Sequence, residues 1–138
     1  MRRKYLLFLL IPLALTLTGC FGKSDWRDTK TANITLSITP NVFYVDRRTN
    51  VKTVLRETNG IGVNLNYWVW QTVKTGTEAE EQFDKIFGMH YLFPWGTLEG
   101  TVSVLYGLGL VGEHTVIMGG EDSNGNSVRA SAEYSVRR

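Results

Sequence analysis

The sequence predicts a mainly β protein, an antiparallel sandwich of two sheets with about seven strands and one short inserted helix. Three observations lead to this fold class. Apolar and polar residues alternate with a period of two along several short runs, turn-forming residues recur about every ten positions, and a helical period occurs in one segment. The 138 residues are enough for one domain and too few for two domains with separate cores.

The first three strands are predicted between a polar N-terminal segment and an Asn-Gly turn. Apolar residues alternate with threonine and serine over 34–39 until Pro40, which lacks an N–H and therefore ends the strand. Two further runs, at 41–45 and 51–57, are apolar and β-branched, and a polar connection separates them. We expect one strand in each run.

The fourth predicted strand follows the turn signal Asn59-Gly60, where both residues tolerate a positive φ. One face of this strand is apolar throughout and is predicted to face the core: Ile61, Val63, Leu65, Tyr67 and Val69. The other face combines amides with indoles: Asn64, Asn66, Trp68 and Trp70.

The period changes between residues 75 and 90, which predicts a helix of two to three turns. Thr77 and Glu80 match a capping box at its start. Its apolar stripe consists of Ala79, Phe83, Ile86 and Phe87.

The last three strands are predicted at 97–106, 115–121 and 127–137. Asn124-Gly125 lies between the final two and has the chemistry of a two-residue type I′ hairpin turn. The last strand alternates strictly, so one of its faces should be buried and the other solvated.

Two segments resemble motifs of a known protein family. The turn Asp122–Asn126, of the form D-x-N-G-N, resembles the closing hairpin of bacterial immunoglobulin-like domains. Residues 55–63 resemble an E-T-x-G-x-G-V stretch that some of these exported domains carry between early strands. The resemblance implies an immunoglobulin-like sandwich over residues 33–138, although the Cys, Trp, Cys spacing of antibody domains does not occur in it.

The N-terminus has the order of an export signal. Residues 2–4 are basic, residues 5–15 are apolar, and small residues follow up to Cys20. An apolar run of this length is shorter than the roughly 20 residues that a helix needs to span a bilayer. The pattern predicts a cleaved signal peptide at 1–19.

The cleavage region Leu17-Thr18-Gly19-Cys20 resembles the lipobox of bacterial lipoproteins, an aliphatic residue, two small residues and a cysteine. The resemblance implies a diacylglycerol thioether on Cys20, cleavage just before it, and residues 20–32 as a lipidated cysteine and tether. Cys20 is the only cysteine of the chain and has no partner for an internal disulfide. The alternative is an ordinary small residue in a signal peptide that is cut elsewhere. We therefore expect an exported protein, lipid-anchored to the cell membrane or the outer membrane.

The charge balance argues against a nucleic-acid partner. The chain has 15 Lys and Arg against 13 Asp and Glu, and without the three basic residues at 2–4 the balance is 12 against 13. Nucleic-acid binding needs clustered basic residues that displace counterions from phosphates.

Motifs of catalytic or cofactor sites lack their usual context. Gly107, Gly109 and Gly112 spell G-x-G-x-x-G, but strand-forming residues follow where a dinucleotide site needs a helix. The acidic and amide residues of the last hairpin are spaced unlike those of an EF-hand loop. His90 and His114 are far apart, and no nucleophile has a recognisable base. We expect no enzyme activity, no cofactor and no metal site.

The aromatic residues are the main functional candidates. Eight lie between positions 67 and 95, and six of these are outside the apolar stripe of the predicted helix: Tyr67, Trp68, Trp70, Tyr91, Phe93 and Trp95. In one hypothesis, Trp68 and Trp70, joined by Trp95, form a platform for sugars or peptides. In the other, the helix covers Trp68 and Trp70 and buries them. We thus expect a non-enzymatic binding or structural module whose partner is an envelope protein or a glycan, and a carbohydrate-binding lipoprotein is the alternative.

Overall fold

The computed structural model describes residues 30–138, so the predicted signal peptide, Cys20 and most of the tether lie outside the described residues. Within 30–138 the chain forms nine strands and one α-helix. The strands are β1 (Ile34–Thr39), β2 (Val42–Tyr44), β3 (Thr49–Glu57), β4 (Val63–Trp70), β5 (Thr72–Thr75), β6 (Tyr91–Leu92), β7 (Thr97–Val104), β8 (Gly112–Asp122) and β9 (Ser127–Arg137). The helix α1 (Gly76–Phe87) connects β5 to β6.

The strands form two sheets, which confirms the predicted sandwich. One sheet has the order β1-β3-β7, and the other has the order β2-β9-β8-β4-β5, with β6 paired to β4. The division of β1, β3 and β7 from β4, β8 and β9 is the immunoglobulin-like arrangement. All pairings are antiparallel except that of β2, which runs parallel to β9. The two strands beyond the predicted seven, β5 and β6, are too short to show a period in sequence.

Pro40 separates β1 from β2, as predicted, and the two strands belong to different sheets. The core between the sheets is apolar and includes Phe43, Leu55, Leu65 and Val116, all without solvent exposure.

The predicted faces of β4 are correct only for its first half. The pairing with β8 shifts by one residue between Leu65 and Tyr67, which is a β-bulge. An extra residue on one strand moves every following side chain to the opposite face. Beyond the bulge Tyr67 and Val69 are therefore half-buried, and Trp68 and Trp70 occupy the core-facing positions. The expectation that Tyr67 and Val69 face the core is wrong for this reason.

Helix α1 packs its predicted stripe onto the sandwich but begins differently. Thr75 is the N-cap residue and makes no side-chain cap hydrogen bond, so Thr77 is inside the helix and does not form the predicted capping box. The helix ends at Gly88, which has φ 80° and donates its N–H to the Asp84 carbonyl at 2.9 Å. Gly100 lets the helix approach β7, since a Cβ there would lie 2.5 Å from the Ile86 carbonyl oxygen.

The hairpin between β8 and β9 lies where the sequence predicts it, but its turn is of another type. A type I′ turn needs a positive φ at both central residues. Gly125 has φ 83°, whereas Asn124 does not have a positive φ. The Gly125 N–H donates to the Asp122 carbonyl at 3.0 Å, and the Asp122 N–H donates to the Asn126 carbonyl at 2.8 Å. The loop thus has three residues and ends on a left-handed glycine.

The two indoles of β4 form a packing layer that meets the helix at Trp68. Trp68 is 2% exposed, and its ring meets the edge of Phe83 at a centroid distance of 5.4 Å. Trp70 is 4% exposed and donates its Nε1–H to the Tyr106 hydroxyl at 2.7 Å. The two indoles stack with centroids 6.2 Å apart.

Replacing Trp70 with alanine tests this packing layer. Trp70→Ala leaves a cavity and removes the donor to Tyr106, so we expect the free energy of unfolding to fall by about 3 to 5 kcal/mol in chemical denaturation. The control Val73→Ala, at an exposed position of β5, should change it by less than about 0.5 kcal/mol. A Trp68→Ala, Trp70→Ala double variant as stable as the natural chain would contradict the packing.

Candidate functional site

Two buried carboxylates hold together one end of the sandwich, which we call the N-terminal pole because the chain joins the domain there. This pole consists of residues 30–33, 57–62, 91–96 and 122–126. The carboxylates belong to Glu57, at the end of β3, and Asp122, at the end of β8, and both residues are buried.

Glu57 accepts four backbone hydrogen bonds from three separate segments. Its Oε1 accepts the N–H groups of Asn33 at 3.3 Å and Asn59 at 2.7 Å. Its Oε2 accepts those of Gly60 at 2.7 Å and Trp95 at 2.9 Å. Burial raises the pKa of the Glu57 carboxyl, but these four donors outweigh burial and hold the pKa below its ordinary value. The buried residue is therefore charged and fully partnered.

Asp122 has the same role for the closing hairpin. Its Oδ2 accepts the Ala32 N–H at 2.9 Å, and its Oδ1 accepts the N–H groups of Asn124 and Asn126, each at 2.9 Å. Burial raises the pKa of Asp122, and the backbone donors and the Asn126 side chain lower it further than burial raises it. Both carboxylate oxygens that Asp122 would offer to a calcium ion thus accept hydrogen bonds from the hairpin loop and from Ala32. Among residues 30–138, no group of three or more His, Cys, Asp and Glu side chains is placed to hold a metal ion.

The last residues of the predicted tether are already attached to the sandwich. The Asn124 side-chain amide donates to the Lys30 carbonyl at 2.8 Å, and the Asn59 amide donates to the Thr31 carbonyl at 2.7 Å. The Thr58 N–H donates to the Asn33 carbonyl at 2.8 Å. These bonds fix the point at which the chain meets the domain.

Three exposed rings, Tyr91, Phe93 and Trp95, lie at this pole, and we call them the aromatic patch. They are 36%, 58% and 70% exposed, while Leu92 between them is fully buried. Tyr91 and Phe93 contact edge to face with centroids 4.9 Å apart. Alternate positions of one short segment therefore point three rings away from the core.

The backbone at Trp95 has an unusual conformation. The Gly96 N–H donates to the Phe93 carbonyl at 2.8 Å, which closes a turn with Pro94 and Trp95 at its centre. Trp95 has φ 58° at the position where a type II turn normally places glycine. Bulky residues with a positive φ are rare, and strained positions of this kind concentrate at functional sites.

Two glycines leave room for the rings of the aromatic patch. A Cβ at Gly60 would lie 2.7 Å from Nε1 of Trp95, and a Cβ at Gly62 would collide with the Tyr91 hydroxyl. Gly60 also has φ 77°, which favours glycine independently. The 58–62 loop is thus shaped to lie beneath Trp95 and Tyr91.

A shallow polar cleft borders the aromatic patch on the outer face of the larger sheet. It has a volume of about 250 Å³ and is lined by Asn64, Asn66, Tyr91, Glu121, Asp122 and Ser123. The Asn64 amide also donates to the Glu80 carboxylate of α1 at 3.3 Å. The cleft offers amides, a carboxylate and a ring edge to a polar ligand.

The structure does not bring together the three tryptophans proposed as a platform. Trp68 and Trp70 are buried and present no ring face to a ligand, whereas Trp95 is exposed at the N-terminal pole. The indoles of β4 follow the packing hypothesis because the bulge turns them inward. Cys20, the lipidation candidate, lies outside the described residues.

Sequence reasoning missed both buried carboxylates. For Glu57 a signal existed, because Val51, Thr53, Leu55 and Glu57 alternate in phase along one strand. All four are buried, so an acidic residue continues a core face. Of the G-x-G-x-x-G glycines, Gly107 and Gly109 lie in the connection between β7 and β8, and Gly112 is the first residue of strand β8.

Comparisons with known proteins bear on the fold. No protein-family model matches the chain, and no curated protein sequence matches it significantly. The structure is similar to a CARDB domain from Pyrococcus furiosus, crystallised in complex with di-metal ions, with 15% identity, a TM-score of 0.48, and coverage of 78% of this chain and 88% of that chain. It is less similar to the Pseudomonas fluorescens alkylpurine DNA glycosylase AlkC bound to DNA with an abasic site analog, with 16% identity and a TM-score of 0.34. That alignment covers 91% of this chain but 34% of the glycosylase. Neither similarity assigns a function to this chain.

Replacing Glu57 with glutamine tests whether its carboxylate holds the N-terminal pole. Glu57→Gln removes the charge and turns N–H groups toward backbone donors, so the free energy of unfolding should fall by about 2 to 4 kcal/mol. The control is Glu99→Gln on β7, where the exposed carboxylate lies 3.6 Å from Lys52 Nζ. This control should change stability by less than about 0.5 kcal/mol. Equal stability of the two variants would contradict the role of Glu57.

The same carboxylates predict how stability depends on pH. Both pKa values are lowered in the folded protein, so protonation favours the unfolded chain. Stability should be complete above the ordinary pKa values, 4.5 for Glu57 and 3.8 for Asp122, and should fall as the pH decreases through the lower folded values. Denaturation midpoints measured across this acidic range should fall less steeply for Glu57→Gln than for the natural chain. Identical slopes would contradict the assignment.

Proposed function

We propose that this chain is a lipid-anchored envelope lipoprotein whose immunoglobulin-like sandwich acts as a non-enzymatic binding or structural module. The observation that carries the proposal is the complete lipobox Leu17-Thr18-Gly19-Cys20 directly after an export signal. Cys20 is also the only cysteine, which fits a residue kept for lipid attachment in an oxidising compartment.

The acyl chains of such an anchor supply its affinity for the membrane. Each buried CH₂ of an acyl chain contributes about 0.8 kcal/mol, so two or three chains hold a protein on a membrane without a spanning helix. Among residues 30–138, no helix is long and apolar enough to cross a membrane. The Lys30 carbonyl, ten residues after Cys20 in the sequence, accepts a hydrogen bond from Asn124 of the sandwich.

The binding role is supported by the polar cleft and the aromatic patch. The cleft combines the amides of Asn64 and Asn66 with the Glu121 carboxylate, groups that form specific hydrogen bonds to a protein or glycan partner. The carbohydrate-binding alternative receives less support, because two of the three tryptophans it would use, Trp68 and Trp70, are buried.

Replacing Cys20 with serine tests the lipid anchor. Cells expressing the full chain with Cys20→Ser should accumulate unprocessed or soluble protein, whereas the natural chain should be recovered with membranes and carry acyl mass on Cys20. Ser24→Ala in the tether is the matched control and should fractionate like the natural chain. Unchanged processing and membrane recovery of Cys20→Ser would refute lipidation.

A further inference from the structure

We propose that the aromatic patch, Tyr91, Phe93 and Trp95, is a second membrane contact that enters the headgroup region of the bilayer carrying the Cys20 lipid. This inference rests on the proposed lipid anchor and adds to it a fixed orientation of the domain. The partner is the phospholipid surface itself.

The first argument is position. The Glu57 carboxylate binds the N–H of Asn33, where the chain joins the domain, and the N–H of Trp95, in the aromatic patch. The Asn59 side chain then bonds to Thr31. The patch and the end of the tether are therefore held at the same pole by shared hydrogen bonds.

The second argument is reach. The ten residues from Cys20 to Lys30 extend at most about 35 Å, so the N-terminal pole stays near the bilayer. Strands β8 and β9 have 11 residues each and place the opposite pole about 35 Å further along the sandwich. That opposite pole reaches the bilayer only if the domain inverts beside a fully extended tether.

The third argument is chemistry. Tryptophan and tyrosine combine an apolar ring with a polar group, and they are enriched at the membrane–water interface for this reason. Trp95 is 70% exposed, although it has a backbone conformation that glycine would adopt without strain. Most of the indole surface is therefore left to solvent, and contact with an interface would use both its ring and its N–H.

The opposite pole also exposes apolar side chains, which makes it the competing candidate. Four of these residues are aliphatic, Leu105, Leu108, Leu110 and Val111, and the fifth is Tyr44, which is 42% exposed and pairs with Arg137 at the end of β9. This pole therefore offers one phenol but no indole, and it lies at the end of the sandwich away from Lys30. The experiment must therefore measure membrane contact at both poles in the same kind of vesicle.

Fluorescence quenching by brominated phospholipids measures whether a tryptophan at either pole contacts the membrane. The full chain is expressed in bacteria, purified and reconstituted in phosphatidylcholine vesicles whose lipids are brominated near the headgroup end of the acyl chain, with unbrominated vesicles as reference. All variants carry Trp26→Phe, which leaves three of the four tryptophans. Because Trp68 and Trp70 are buried, quenching of Trp95 should remove about a third of the emission.

Two matched variants complete the test. Adding Trp95→Phe should abolish the quenching, and adding Leu108→Trp to that variant should not restore it. Melting curves establish that each variant is folded. Quenching that persists after Trp95→Phe, or that is equal for Leu108→Trp, would overturn the proposed contact.

Mass spectrometry of the purified chain shows whether Cys20 is acylated, and so tests the proposed lipid anchor separately from the membrane contact of Trp95. If Cys20 is not acylated, the proposed lipid anchor has failed, and coupling of its thiol to a maleimide phospholipid supplies an anchor at the same residue. Quenching of Trp95 on the coupled chain would then support the membrane contact, and its absence would overturn it.

Discussion

The structure depends most on the buried carboxylate of Glu57. A charge removed from water is costly unless hydrogen bonds replace its hydration, and Glu57 receives four from the backbone. The donors come from the start of the first strand, the 58–62 loop and the turn that carries Trp95. These three segments have few alternative positions, because moving any of them would leave a buried charge without a partner. Asp122 imposes the same constraint on the closing hairpin.

The sequence predicted the elements whose signals are local. The stripe of Ala79 and Phe83 fixed the helix, and strict alternation with an Asn-Gly turn located the last hairpin. It could not locate the bulge near Asn66, because one extra residue in a strand leaves no compositional trace. For that reason the sequence placed Trp68 and Trp70 on the wrong face of the strand, whereas the bulge turns both indoles toward the core. Glu57 was missed because buried acids are rare, although it continues the core phase of β3.

The way this pole is built determines how the proposed anchor would orient the domain. The carboxylates of Glu57 and Asp122 bind the segment where the chain meets the domain. Glu57 also binds the N–H of Trp95, and Gly62 in the adjacent loop leaves room for the Tyr91 hydroxyl. An anchor on Cys20 would place this pole toward the membrane and leave the far end of the sandwich toward other envelope components. The polar cleft beside Tyr91 would then lie between the membrane surface and a partner, on a rigid face of the sheet.

Amide hydrogen exchange, measured residue by residue by NMR, tests the central role of Glu57 most directly. The N–H groups of Asn59, Gly60 and Trp95 lie in loops, where amides normally exchange quickly. If the buried carboxylate binds them, their protection factors should approach those of amides in the centre of β3, since both would exchange only when the domain unfolds. Rapid exchange of these amides at neutral pH, at the rate of ordinary loop residues, would contradict the account.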